Sequence, residues 1–183
     1  MSGQAAGSID YADAQGYRKP LLAYDGSAGA DRALDLAIEL ASSSHGRLTI
    51  LTATAHTPFL AYTGAGPEAV NELRRATIAD AQRALCQAVD RVPKGIPVTK
   101  ILSRKPVAEA LCQQGGPGDH DLLILGTRGR GPIRSAIFGS VGRDMLRLSP
   151  LPVLIAQPGA RVESGRPERS AGAAVVPMTP KGV

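Results

Sequence analysis

The residues best placed to do chemistry in this chain are small and lie close together. Gly126, Gly129, Gly139 and Ser140 follow the aliphatic run Leu122-Leu-Ile-Leu125 with the spacing G-x2-G-x9-G-S, interleaved with Arg128, Arg130 and Arg134. An aliphatic run this short, closed by a glycine, reads as a fully buried parallel strand rather than a buried helix. Glycine lets the backbone adopt positive φ and lets another group approach the main chain closely. Beyond it, Phe138, Val141, Met145 and Leu148 recur at the spacing of one helix face. Strand, glycine-rich loop and helix N-terminus together make an anion site, because unpaired N–H groups and the positive end of the helix dipole point into the loop. Ser140 stands at the N-cap position, where its hydroxyl serves either the helix or an anion. The dipole alone contributes about 0.3–1 kcal/mol per charge, so several N–H groups and arginines must share the work of holding a phosphate. The arginines near the loop, Arg128, Arg130, Arg134 and Arg143, read either as charge compensation for that phosphate or as a solvated surface. A tight strand-to-helix turn with ordinary glycines is the plain alternative for the whole run.

Such a loop needs a sheet behind it, and the rest of the chain supplies one. Lys19 to Tyr24 is a first strand ending in Asp25-Gly26-Ser27. A helix follows over about 30–43, with Ala33, Leu34, Ala37, Leu40 and Ala41 on one side and Gly46 as its C-cap. Leu48 to Ala53 is a second strand. After a loop over 56–66 comes a long helix over about 68–91, with Ile78, Ala81, Leu85, Ala88, Val89 and Val92 facing inward. Gly64-x-Gly66-x-x-Ala69 is not a dinucleotide fingerprint, since no strand precedes it. Pro97 to Leu102 is a third strand, a short helix carries Val107, Ala110 and Leu111, and Val153 to Ala156 closes the series after the glycine-rich loop. The alternation βαβαβαβαβ implies a doubly wound parallel sheet with helices on both faces and right-handed crossovers. Ligands bind such sheets beyond the carboxyl ends of the strands, where strand order reverses. Asp25 and Gly126 border that crevice if the first and fourth strands are neighbours.

Composition narrows the function classes. The 183 residues suit one domain with tails: 1–16 as a flexible leader, 17–158 as the domain and 159–183 as a disordered tail. Apolar residues make up 43% and aromatics only 3%, so the core is built from Ala, Leu, Val and Ile. No run approaches the roughly 18–20 apolar residues of a membrane span, and the N-terminus lacks the pattern of a secretory signal. A cytoplasmic protein is therefore expected, without a membrane partner. The net charge of +5 suits anionic ligands, but no aromatic interleaving or basic helical stripe points to nucleic acid. Cys86 and Cys112 fall inside helical patterns and read as reduced core residues; no metal-ligand spacing joins them to His45, His56 or His120.

The spacing Gly126-x2-Gly129-x9-Gly139-Ser140 resembles the nucleotide-binding signature of the universal stress protein family. Two further stretches carry the resemblance: Leu21-Leu22-Ala23-Tyr24-Asp25-Gly26-Ser27 is similar to the family's "ILVAVDGS" opening, and Leu151-Pro-Val-Leu-Ile-Ala156 to its closing strand. It covers roughly 18–158. It implies a single five-stranded parallel sheet in the order 3-2-1-4-5, Rossmann-like and of the adenine nucleotide alpha hydrolase-like type. It also implies ATP as ligand, with or without Mg2+. Asp25 would contact the adenosine portion, Ala23 and Ala53 would line the adenine slot, and Leu125 and Gly126 would approach the ribose. Gly129, Gly139, Ser140 and Val141 would offer groups to the phosphates, with Arg128 beside them. A homodimer through the last strand, Val153 to Ala156, is a further implication. Two departures stand out: Ala53 replaces a common valine, and Arg104-Lys105-Pro106 replaces a glycine-acidic turn after the third strand.

An ATP-binding stress-response or regulatory protein without an efficient catalytic centre is the leading expectation. A slow ATPase or self-phosphorylating enzyme is the alternative. Against it, no G-x4-G-K-(S/T) lysine occurs, and Asp25 is the only nearby carboxylate to nominate. A nucleotide-free interaction module is the third reading, and the intact Gly126/Gly129/Gly139/Ser140 set argues against it.

Overall fold

Strands that are apolar on both sides need cover on both sides, and here helices supply it. The structure is a computed structural model and describes residues 16–54, 66–116, 118–127, 140–156 and 173–176. Strands β1 (Pro20–Ala23), β2 (Leu48–Ala53), β3 (Val98–Ser103), β4 (Leu122–Gly126) and β5 (Val153–Ala156) form a parallel sheet ordered β3-β2-β1-β4-β5. Helices α1 (Ala28–Ser43), α2 (Pro67–Asp90), α3 (Val107–Gln114) and α4 (Ser140–Leu148) connect them. This is the doubly wound order expected, with β1 and β4 paired at the reversal, Leu21 opposite Leu123.

Alternation along the strands divides the core into two layers. Leu22, Ile50, Leu122, Ile124 and Leu154 face α1 and α2, meeting Leu34, Ala37 and Leu40 on one helix and Leu85 and Ala88 on the other. Leu21, Leu51, Leu123, Leu125, Val153 and Ile155 face the opposite way, toward Ala110 and Leu111 of α3 and Met145 of α4. Small residues let α1 settle deeply onto the sheet. A Cβ on Gly29 would come within 1.9 Å of the Thr127 carbonyl oxygen. The central pair is also tied at its base. Asp121, just before β4, accepts hydrogen bonds from the Arg18 N–H at 2.7 Å and the Lys19 N–H at 2.9 Å, just before β1.

Several expectations change. The last strand is not β5. Ala173–Val176 forms β6, which pairs antiparallel with β5 along its outer edge. A backbone ladder to a waiting edge needs only a short extended segment, which a search for period misses. Cys86 is not a core residue. It follows buried Leu85 by one position, about 100° round the helix, and is exposed; Cys112 is half-buried. Both thiols are free. Burial raises the Cys112 thiol above its ordinary value. Leu148 is 61% exposed, whereas Met145 on the same helix is fully buried. His45, not Gly46, takes the left-handed position after α1, at φ 51°. Gly46 is needed for a different reason, since a Cβ there would stand 2.3 Å from the Arg18 carbonyl oxygen. On α2 only Leu85 and Ala88 are fully buried. At 24 residues it extends about 36 Å, beyond the roughly 20 Å of a six-residue strand, so its first turns lie past the sheet.

Candidate functional site

At the carboxyl end of β1 the chain must turn from a buried strand into a helix on one face. Asp25-Gly26-Ser27 makes that turn. Gly26 takes φ 74°, the left-handed region. The Ser27 N–H donates to Asp25 Oδ1 at 3.0 Å, and the Ser27 hydroxyl caps α1 by accepting from the Ala30 N–H at 3.2 Å. The Asp25 side chain thus has one oxygen engaged in its own turn and stays exposed. Beside this turn, the ends of β1, β2 and β4 and the starts of α3 and α4 enclose a cavity of about 100 Å3.

Six of the expected site residues line it: Ala23, Asp25, Ala53, Leu125, Gly126 and Val141. Ser140 opens α4 next to Val141. Arg128, Gly129 and Gly139 lie outside the described residues, as does Phe138. Further lining comes from Tyr24, Ser27, Leu51, Val107 and Gly142. These were missed because their types carry no signal of their own; only the fold order, which brings α3's first residue over the end of β2, could have found Val107. The walls are mainly apolar. Asp25 is the one carboxylate lining the cavity, and no lysine, arginine or histidine lines it among the described residues.

Gly126 has a packing role besides its place in the cavity wall. A Cβ there would stand 2.3 Å from the carbonyl carbon and oxygen of Gly29. Its missing side chain admits the first turn of α1, which sets how closely the helix N-terminus approaches the cavity.

Behind the cavity sits a charged network. The buried Tyr24 hydroxyl donates to Asp31 Oδ1 at 2.8 Å, and Arg91 donates to Asp31 at 2.6 Å and Asp35 at 2.5 Å. Burial, with the Asp31 hydrogen bond and charge, pushes the Tyr24 hydroxyl up to about 12. Burial works against the Arg91 charge, but Asp35 and Asp31 outweigh it and raise its value. The network pins the end of β1 to α1 and to Arg91, which caps the C-terminus of α2.

A doubly wound parallel sheet with a lined crevice at its switch point is the architecture in which α/β proteins place their ligands. Comparison with known proteins narrows that class. The profile described as the universal stress protein family matches residues 16–157. A universal stress protein of Thermus aquaticus is 34% identical over 141 residues, spanning 76% of this chain and 98% of that one. The chain belongs to the universal stress protein family. Another relative, from Bacillus subtilis, is 28% identical over 145 residues, covering 76% of this chain and 98% of that protein. Among solved structures, the universal stress protein UspA from Lactobacillus plantarum superimposes with a TM-score of 0.62 at 24% identity, over 76% of this chain and 97% of that one. A universal stress protein solved in complex with cAMP gives a TM-score of 0.50 at 25% identity, over 77% and 97% of the two chains.

Proposed function

We propose that the cavity at the ends of β1, β2 and β4 is the base end of an ATP site, in a regulatory protein that holds the nucleotide without turning it over efficiently. The observation that carries this reading is the convergence of Ala23, Asp25, Ala53, Leu125, Gly126 and Val141 on one cavity at the switch point. The related protein in complex with cAMP supports an adenine nucleotide. Its mainly apolar walls suit a flat ring system. Alanine at 23 and 53 leaves room where a larger side chain would fill the slot. Phosphates would then run outward to the N-terminus of α4, toward the stretch containing Arg128, Gly129, Gly139 and Ser140. A Mg2+ ion would arrive with those phosphates, while Asp25 Oδ2, not engaged in the turn, would be free to meet the adenosine portion at the cavity. Among the described residues Asp25 is the one carboxylate lining the cavity and no histidine or lysine joins it, which favours holding over hydrolysis.

Thermal unfolding with and without Mg-ATP, AMP and cAMP tests the reading, beside Ala53→Leu. At 100-fold excess over its dissociation constant a ligand adds about 2.7 kcal/mol. For a chain of this size that is a midpoint rise of about 5–10 °C. The expected result is a rise with ATP that Ala53→Leu reduces by at least tenfold in affinity while leaving the unliganded midpoint unchanged. No rise with any of the three nucleotides would overturn it. A homodimer through β5 was the other expectation, and β6 pairs with the outer edge of that strand.

A further inference from the structure

The opposite end of the sheet carries a second cavity. Helix α3 spans eight residues, about 12 Å, while β2 and β3 beneath it run six residues each, about 20 Å. The helix therefore covers only part of their length. Side chains alternate between the faces of a strand, so Thr49 shares a face with Leu51 on β2, and their register partners Thr99 and Ile101 share it on β3. Leu51 and Ile101 belong to the apolar layer of Ala110 and Leu111 on α3. Where the helix ends, at Gln114, the same face turns to threonine. A cavity of about 210 Å3 opens there, walled by Thr49, Thr99 and Gln114, with Arg47 ahead of β2 and Asp119 and His120 ahead of β4. Val107 starts α3 at the first cavity and Gln114 ends it at this one, so the two lie at opposite ends of one helix.

The polar groups here are left open. Thr49 is only 4% exposed, yet its hydroxyl makes no hydrogen bond among the described residues. Unlike the hydroxyls of Thr52 and Thr127, which are sealed in without a partner, it opens onto the cavity, and a buried hydroxyl of that kind calls for a partner there. His120 Nδ1 donates to the Gln114 carbonyl oxygen at 2.8 Å, which leaves Nε2 as the acceptor of the neutral ring. Arg47 donates to the Asp119 backbone carbonyl at 3.2 Å. Its guanidinium and the Asp119 carboxylate nevertheless form no ion pair, with each other or with any other charge among the described residues. The C-terminus of α3 adds the negative end of a helix dipole. A simple anion would meet Asp119 and that helix end, and a simple cation would meet Arg47. A molecule carrying both charges satisfies both.

We propose that this cavity is a second ligand site, for a free α-amino acid. The ligand carboxylate takes the Arg47 fork, whose paired N–H groups match a planar carboxylate. The ammonium sits between the Asp119 carboxylate and the end of α3, Thr49 completes the hydrogen bonding, and Ile101 gives the ligand side chain an apolar wall. The site stands whatever the first cavity holds.

Amide NMR of the full chain, titrated with each common L-amino acid, tests it. At least one should shift the Thr49, Thr99 and Gln114 amides saturably, with a dissociation constant below about 1 mM, and leave those of Ala23 and Val141 in place. Arg47→Gln should weaken that binding about tenfold and Thr49→Val about threefold, with the rest of the spectrum unchanged as the sign that each variant folds. The N-acetylated amino acid and its methyl ester, each missing one charge, should bind about tenfold more weakly, as should inorganic phosphate and acetate. Site amides that no amino acid shifts at about 10 mM would overturn the proposal. Phosphate or acetate binding as tightly as the amino acid would overturn it too, by making this a plain anion site, as would an affinity unchanged in Arg47→Gln. Mg-ATP should leave the titration as it was; competition between the two would sink a separate site.

Discussion

Gly29 shows how a single missing methyl can outweigh a local preference. In an exposed helix, glycine to alanine stabilises by about 1 kcal/mol. On α1 the added Cβ would meet the Thr127 carbonyl oxygen at 1.9 Å, with backbone on both sides. Gly29→Ala should therefore destabilise by about 1–3 kcal/mol, and urea unfolding would read the reversed sign directly. Tyr24 gives a second prediction at this scale. Its folded-state value near 12 lies above the ordinary 10, so the folded chain holds that proton more tightly than the unfolded one. The resulting stability is complete below pH 10 and is lost as pH rises from 10 toward 12. Tyr24→Phe should remove that step from a plot of unfolding free energy against pH. Neither residue announced its role in the sequence. Gly29 lies before the helix expected over 30–43 and carries no signal of its own, and the Tyr24 partners Asp31 and Arg91 are brought together only by packing α1 against α2.

Elements were far more legible than contacts. Strands made of unbroken aliphatics and helices with a clear apolar face, such as Leu34-Ala37-Leu40-Ala41, declare themselves because burial imposes period. Boundaries and ties did not. Ser27 starts α1 two residues before the periodic stretch, since a cap serves the backbone and has no need of an apolar face. Asp121 carries no signal of its own ahead of the aliphatic run, yet it receives the Arg18 and Lys19 N–H groups and joins the bases of β1 and β4. Asp121→Ala should cost about 1–3 kcal/mol by leaving those donors unpartnered. Hydrogen exchange should show the loss concentrated at the start of β1. The cavity was half legible: Ala23, Asp25, Ala53, Leu125, Gly126 and Val141 were named from pattern and resemblance. Leu51, Val107 and Gly142 join them only through the sheet order.

At the scale of the whole molecule, the sheet order brings together distant parts of the chain. Leu21 on β1 lies opposite Leu123 on β4, 102 positions further on. By contrast, β1, β2 and β3 neighbour one another with only one helix between each pair. The first half of the chain can therefore build a three-stranded sheet during synthesis while β4 has yet to leave the ribosome. That partial sheet ends in β1 with an open, wholly apolar edge, which only the arrival of Leu122 to Leu125 closes. Strand pairing at such separation is intrinsically slow, and an unpaired edge exposed meanwhile invites association with other chains. The strand at the heart of the finished sheet is thus the boundary of the nascent one, and the period of greatest vulnerability for this chain falls before the crevice beside it exists.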